Sequence, residues 1–439
     1  MLTTLIENGI KAIRIPISWH NHIIDDKYTI DPEWMYRVKT VVDWAIDKGL
    51  YVIINTHHDQ AGNTKGSIKY GSGYYPLWKD AAESEKYLYN VWKQITLAFN
   101  NGYDHHLIFE GLNEPRIAGL PNEWWYDPND GNCKEAAKVL NEYNRLILKT
   151  IRDSKGNNQV RFVMSTALAA SYSSTASDDF IIPEDHIDRT ALPENHAVTN
   201  RVIVSVHMYT PYDLVMNPDM NIATFTGAHA EELYVNFKTL YQKYVLKGYH
   251  VIIGEMGIVN KSNLAQRIKW AKYYISLCRQ FQFAAIIWDN GIWDNSKSAE
   301  ETYGFFDRRN LKWVEPTLMK AFIDSAIVPL AENVDIFEHA LIETYDKSEM
   351  IIDQGQEELV QISSKKLIDK MALGWNLGNT FDAHNSSQNQ GVESETYWGN
   401  PETTEEMIEE IVSKGFKAIR IPVTWHNHII DGQYTICTD

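Results

Sequence analysis

Two glutamates end short apolar runs that leave little room for charge: Glu114 closes LIFEGLNE (107–114) and Glu255 follows HVIIG (250–254). An unpaired carboxylate is expensive to bury, so each needs a partner or a task. Either one alone reads as a loop position or half of a salt bridge. The pair is different, because a barrel would set their strands three apart, with Arg14 and Tyr209 on neighbouring strands. His57, His58, Asn113, His207, Trp288, Asn376 and Asn379 end runs of the same kind. Two facing carboxyls suit cleavage of a glycosidic bond, where one gives a proton to the leaving oxygen and the other meets the developing oxocarbenium charge. These tasks need opposite pKa shifts. Arg14 and the Tyr209 hydroxyl are expected to hold a nucleophilic Glu255 ionised, and Glu114, flanked by Asn113 and the histidines, to stay protonated until needed.

Positioning such groups takes a scaffold, and eight β-rich runs supply one: 11–17, 50–58, 107–114, 160–167, 202–209, 250–257, 284–290 and 371–378. They are near-continuous in Val and Ile rather than alternating, the pattern of strands covered on both faces. Helical patterns lie between them. Asp31-Pro32 opens one whose Trp34, Val38, Val41, Ala45 and Ile46 share a stripe until Gly49 stops it. Strand then helix, eight times over, predicts a (β/α)8 barrel with its active face at the strand C-termini. An open doubly wound sheet is the alternative, but no Gly-rich phosphate turn follows any run.

The order of the runs is unusual. Residues 1–31 align without gaps on residues 407–437, with 18 of 31 positions identical, and nothing between resembles them. An offset of 406 residues is far too long for a solenoid repeat and matches a whole domain. A segment cut from a tandem array of like domains is the simplest reading, with Met1 then not a natural domain start, and a circularly permuted domain with a redundant tail is the other. The expected division is a barrel over 1–328, from helix 1 and strand 2 through strand and helix 8, then an acidic linker and lead-in over 329–370. Strand 1 and its loop follow over 371–406, and the second copy of the helix 1 and strand 2 segment over 407–439. A barrel has room for one RIP strand, so the other must dangle, pack on another molecule or displace its twin.

Composition narrows the partners. With 41 Lys and Arg against 58 Asp and Glu the net charge is −17, which argues against nucleic acid or an anionic membrane. Cys133, Cys278 and Cys437 are too few and too scattered for a disulfide framework or a metal motif. No apolar run is long enough to span a membrane, and residue 1 does not open a secretory signal. The 14 Trp, 24 Tyr and 14 Phe suit a sugar cleft, because pyranose faces stack on flat rings. Most must still be core; stacking is assigned to Trp288, Trp293 and Trp398, with Trp19 left to packing or the cleft edge.

The motifs resemble glycoside hydrolase family 5, and within it the endoglucanase-like subfamily 4. The likeness rests on GWNLGNTFDA (374–383), ETYWGNP (395–401), RIPISW (14–19) with its twin RIPVTW (420–425), and NTHHD (55–59). It continues through EGLNEP (110–115), HMY (207–209), GEMG (254–257) and IIWDNG (286–291), and covers nearly the whole chain apart from the linker. The resemblance implies a (β/α)8 barrel, Glu114 as acid/base and Glu255 as nucleophile. It also implies Arg14, His57, His58, Asn113, His207, Tyr209 and Trp288 around the sugar at the bond being cut, with anomeric configuration retained. Its substrates would be β-1,4-glucans, namely cellulose, mixed-linkage glucan and xyloglucan, with no cofactor or metal. The departure is rotation: family members begin with the GWNLGN strand, which here lies after the eighth. If that strand folds back beside 11–17 and 284–290, Asn376, Asn379 and Trp398 complete one cleft.

Two rivals remain. His20-Asn21-His22 and His57-His58-Asp59, with Asp289, offer a metal-dependent hydrolase on the same barrel, but no Lys ends the fourth or fifth strand. Loop histidines that hydrogen-bond locally are the plainer reading of His20 and His22. A non-catalytic β-glucan-binding barrel is the second, since fold does not guarantee activity. The chain is expected to work outside the cell, beside neighbouring catalytic domains or as a strand-exchanged oligomer.

Overall fold

Asp31 and Pro32 show how this chain starts its helices: the Asp31 carboxylate accepts from the Glu33 amide and Pro32 supplies a fixed first turn. The helix that follows, α1 (Pro32–Asp47), buries Trp34, Val38, Val41 and Ala45 and ends just before Gly49, which holds φ +80°. Such units repeat through the computed structural model, which describes residues 11–60, 73–187, 201–327, 362–384 and 392–424. The linker is thus outside the described residues up to 361, as are 1–10 and 425–439.

In chain order, β1 (Ala12–Ile15) and β2 (Ile17–Trp19) precede α1, and β3 (Tyr51–Asn55), α2 (Trp78–Ala98), β4 (Leu107–Glu110) and α3 (Gly131–Asp153) follow. Next are β5 (Val163–Thr166), α4 (Tyr172–Ala176), β6 (Val202–His207), α5 (Tyr212–Val215), α6 (Gly227–Lys243), β7 (His250–Met256) and α7 (Leu264–Gln280). Then β8 (Ala284–Asp289), a small hairpin of β9 (Phe306–Asp307) and β10 (Lys312–Trp313), and α8 (Pro316–Ala326). The C-terminal part carries α9 (Ser364–Met371), β11 (Leu373–Leu377), α10 (Glu405–Ser413), β12 (Ala418–Ile421) and β13 (Val423–Thr424). Each of the eight expected runs holds a strand.

The strands from β3 to β8 pair in parallel, each with the next, and β11 closes the ring by pairing with β8 through Leu373–Ala285 and Leu377–Asp289. The rotated strand therefore folds back between the ends of the sheet, and the barrel is a (β/α)8 barrel. Its remaining position, between β11 and β3, has two claimants. Arg14 and Arg420 both register with Asn376, and Ile15 and Ile421 both register with Ile54. Strands lie about 4.8 Å apart, so one stave holds one strand.

Two apolar layers hold the ring. Between strands and helices lies the larger, which includes Trp34, Trp92, Trp270 and Trp375. Inside the ring, Ile53, Ile108, Met164, Ile203, Ile252 and Ile286 meet Leu367, Ile368 and Met371 of α9, so the end of the lead-in segment plugs the bottom of the barrel. Burying those three side chains contributes on the order of 1.5–3 kcal/mol each. Helix α10 buries Met407, Ile408, Ile411 and Val412, and Lys48 reaches Glu409 at 2.6 Å. Cys133 and Cys278 are buried and unbridged, and no helix among the described residues is long and apolar enough to cross a membrane.

Candidate active site

A guanidinium sits at the centre of the open end of the barrel. Arg14, fully buried at the end of β1, donates from Nε to Glu110 Oε2 at 2.9 Å and from Nη1 to Glu255 Oε1 at 2.5 Å and Asn376 Oδ1 at 2.8 Å. Its Nη2 donates to Asn113 Oδ1. Asn376 is held for this by its own amide, which donates to Gly254 O at 3.0 Å and Ile287 O at 3.3 Å. Gly254 keeps the space above it open: a Cβ there would stand 3.1 Å from Glu110 Oε1, His207 Nε2 and Ser205 Oγ alike, so these groups would have to give way.

Three carboxylates surround the arginine. Glu255, at the end of β7, accepts from Arg14 and, on Oε2, from the Tyr209 hydroxyl at 3.0 Å. Glu114, on the turn after β4, leaves 21% of its side chain exposed and lies 2.7 Å from His207 Nδ1. Carboxylate oxygens of Glu114 and Glu255 and a ring nitrogen of His207 lie within 4.8 Å of one another. Glu110 is the third, completely buried, and accepts also from Asn55 Nδ2 at 2.8 Å and Ser205 Oγ at 2.7 Å.

The proton distribution differs from the sequence expectation. Burial pushes Glu255 up to about 7, against the pull of His207, Arg14 and the Tyr209 hydroxyl. Burial also pushes on Glu114, but the hydrogen bond and charge of His207, with Arg116 and Arg14, hold it below the ordinary carboxylate value. His207, which burial alone would lower, is raised to about 9 by Glu255, Glu110 and Glu114. The acid expected to carry its own proton therefore stands ionised beside a protonated imidazole in the open cleft. Burial and Glu255 keep Tyr209 a neutral donor.

A second cluster lies beside the first. Burial, then the neighbouring His58 and Arg14, keeps His57 well below its ordinary value, so it is neutral. Glu110 fixes the Asn55 amide, whose nitrogen also faces His57 Nδ1 at 3.3 Å. His57 Nε2 lies 3.4 Å from Asp382 Oδ2 and 3.5 Å from the Asn113 amide nitrogen. His58 Nε2 lies 3.8 Å from the same oxygen. His57, His58 and Asp382 could gather round a cation, and the same atoms offer donors and acceptors to hydroxyl groups. The other residues named for a metal reading are engaged with local partners. Asp289 holds Arg308 at 3.1 Å and the Phe305 and Phe306 amides, His20 lies 3.3 Å from Asp59, and His22 lies 2.7 Å from Ser394.

Aromatic rings rim this cluster. Trp288 lies parallel to His57 with centroids 5.7 Å apart, over Gly378, where a Cβ would stand 2.6 Å from the indole. Trp398, 37% exposed, lies 5.3 Å from His58 and donates to His384 O at 2.8 Å. Asn379 sits half-buried at φ +55°, its carbonyl taken by Asn400 at 2.9 Å. Trp293 lies half-buried on the loop after β8, its carbonyl accepting from the Asn260 amide at 3.2 Å. Trp19 is fully buried and donates to Asn55 O, which makes it packing. Sequence reasoning missed Glu110, Asn55, Ser205 and Asp382. Glu110 gave the same signal as Glu114, a charge inside an apolar run, and Asp382 lay within the FDA of a motif already singled out.

The cellulase model, glycosyl hydrolase family 5, matches residues 1–294 and 379–437. The chain belongs to glycosyl hydrolase family 5. It is 38% identical over 322 residues to "Endoglucanase B" of Clostridium cellulovorans, covering 72% of this chain and 66% of that one. It is 37% identical to "Endoglucanase 1" of Ruminococcus albus, covering 73% and 70%. The chain thus spans about two thirds of the length of these family 5 relatives. Among solved structures, a subfamily 4 broad specificity endoglucanase from Clostridium acetobutylicum matches at 37% identity and TM-score 0.62, over 72% of this chain and 86% of that one. A family 5 lichenase from Caldicellulosiruptor sp. F32, solved with cellotetraose, matches at 34% identity and TM-score 0.63, over 70% and 78%. These likenesses place the chain in subfamily 4 of the family.

Proposed function

We propose that the chain is a retaining endo-β-1,4-glucanase that cuts internal bonds of β-glucans by double displacement. The observation that carries this reading is the approach of Glu114 and Glu255 oxygens to within 4.8 Å, since carboxyls about 5 Å apart leave no room for a water between them and the sugar. Glu255, aimed by Arg14 and Tyr209, attacks the anomeric carbon. Glu114 protonates the departing glycosidic oxygen. Its proton comes across the 2.7 Å contact from His207, which holds one at neutral pH. Glu114, ionised again, then draws a proton from the water that releases the sugar from Glu255, and configuration is retained.

His57, His58, Asn113 and Asp382 supply donors and acceptors for hydroxyl groups, and Trp288 and Trp398 supply faces for pyranose rings. The substrate class is β-glucan, including cellulose, mixed-linkage glucan and xyloglucan. Its polymers are too large to enter a cell, which favours work outside it. No metal or organic cofactor is needed for this chemistry.

Reducing-sugar release from barley mixed-linkage glucan and carboxymethylcellulose, by the chain beside Glu255→Gln, tests the reading. Activity in the first and its loss in a folded variant are expected. Undiminished release by the variant, or none from either polymer by the folded chain, would overturn it.

A further inference from the structure

Between β11 and β3 one stave is offered to two strands of the same sequence, AIRI. Both satisfy the same partners. Arg420 donates to Glu110 Oε2 at 2.7 Å, to Asn376 Oδ1 at 3.2 Å, and to Glu255 and Asn113, the four acceptors that Arg14 takes. The His57 amide meets Ile17 O at 2.9 Å or Val423 O at 3.0 Å. Asn55 Oδ1 accepts from the Ile17 amide at 3.4 Å or the Val423 amide at 3.2 Å. Phe381 O accepts from Ser18 at 2.6 Å or Thr424 at 3.1 Å. One N–H or one stave serves one strand at a time.

Neither copy has a clear advantage. Residues 11–16 and 417–422 are identical, and the next two positions differ by one methyl in opposite senses, Ile17 against Val423 and Ser18 against Thr424. Connection does not choose between them either. β1 runs into β3 through α1, and β11 runs into β12 through α10, so each copy is tied to one flanking strand by an ordinary βαβ crossover. Among the described residues the helix before the stave, α10, comes from the second copy, and the loop after it, with Trp19 donating to Asn55 O, from the first.

We infer that the two copies are interchangeable occupants of this stave, and that Arg420 is a second positioning residue for Glu255, standing in for Arg14. This rests on the glucanase reading for its catalytic half, whereas the exchange itself does not. Arg14→Met and Arg420→Met, made singly and together in the full chain, read the catalytic half. Each single variant should lose about half of the activity, in proportion to how often the copy without its guanidinium fills the stave, and the pair should lose about a hundredfold or more. The pH profile of kcat/KM should be unmoved in either single variant. In the double variant its acid limb should rise, since the guanidinium charge lowers the Glu255 pKa.

Charge reversal reads the exchange without activity. A copy carrying Arg14→Glu or Arg420→Glu would face Glu110 and Glu255 and be driven out by its twin, so each single variant should melt within a few degrees of the parent. With both reversed, the melting temperature should fall by about ten degrees or more, or the chain should not fold. A single variant as damaged as the double, in either series, overturns the inference and leaves the glucanase reading intact. An inactive parent whose charge-reversal series follows the expected pattern overturns the reading and leaves the exchange.

Discussion

Glu110 and Glu114 stand four residues apart at the end of one strand, and the fold treats them in opposite ways. Glu110 has no exposure, and three donors on three different strands, Arg14, Asn55 and Ser205, claim its oxygens. Glu114 keeps 21% of its side chain open to the cleft and meets one partner, His207, that can itself gain or lose a proton. A carboxylate whose oxygens are all taken by fixed donors becomes an anchor. One that is partly open and lies beside the titratable His207 and Glu255 is placed to exchange a proton. The floor of the cleft fixes its carboxylates, and the mouth leaves one partly open.

The contrast can be broken most visibly at the mouth. Glu114→Gln should lower kcat on β-glucan by about 10²–10⁴-fold, with the melting temperature close to that of the parent. Glu110→Ala should do the reverse in emphasis. It leaves the buried arginine short of a counter-charge, so urea unfolding should show a loss of roughly 3–5 kcal/mol. If Glu110→Ala unfolds no more easily than Glu114→Gln, the distinction between the anchored and the open carboxylate is wrong.

Subtler changes sharpen the comparison. The imidazolium of His207 lowers both Glu114 and Glu255. His207→Asn should therefore raise the Glu255 pKa above about 7 and carry the acid limb of kcat/KM to higher pH. Tyr209→Phe should move the limb the same way by less, since it removes one hydrogen bond to the carboxylate and no charge. A limb that stays in place in both would remove His207 and Tyr209 from control of Glu255. Smallest in reach is the acid stability of the neighbouring cluster. His57 is neutral in the fold and binds a proton in the unfolded chain below about 6.5, so it withdraws stability as pH falls below that value, by at most about 1.4 kcal/mol per pH unit. His58, also lowered by burial, adds to this, and Asp382, raised to about 7, opposes it between about 4 and 7. Replacing His57 by Gln should flatten the decline in denaturant midpoint from pH 6.5 to 4. Light scattering at micromolar concentration should return the 50.6 kDa monomer, because both copies of the exchanged strand are held in the same molecule at a higher effective concentration. A dimer mass would mean that the stave is filled from a neighbour.

Much of this was legible in the chain. The eight strands announced themselves as unbroken Val/Ile runs, and Glu114, Glu255, Arg14, Asn113, His207 and Tyr209 could be picked out because polar residues at the ends of such runs need partners. Glu110 was not recognised, although it bears the same mark, because its donors Asn55 and Ser205 lie 55 and 95 residues away. The order of proton affinities was read the wrong way for both glutamates, since burial outweighs Arg14 and Tyr209 at Glu255, and the closeness of His207 Nδ1 to Glu114 is set by how β6 sits beside β7 and the turn after β4.

Local pattern alone determined the strands, the helix starts, the duplicate segment and the carboxylate pair, because these depend on residues a few positions apart and on what cannot be buried unpaired. Closure of the ring by β11, the plug made by α9, the splitting of three glutamates into anchor, nucleophile and partly open acid, and the double claim on one stave were decided only in three dimensions. Each turns on distances between residues about ninety to several hundred positions apart, such as Arg14 to Glu110 and to Asn376. Burial and charge act through those distances, and no spacing along the chain encodes them.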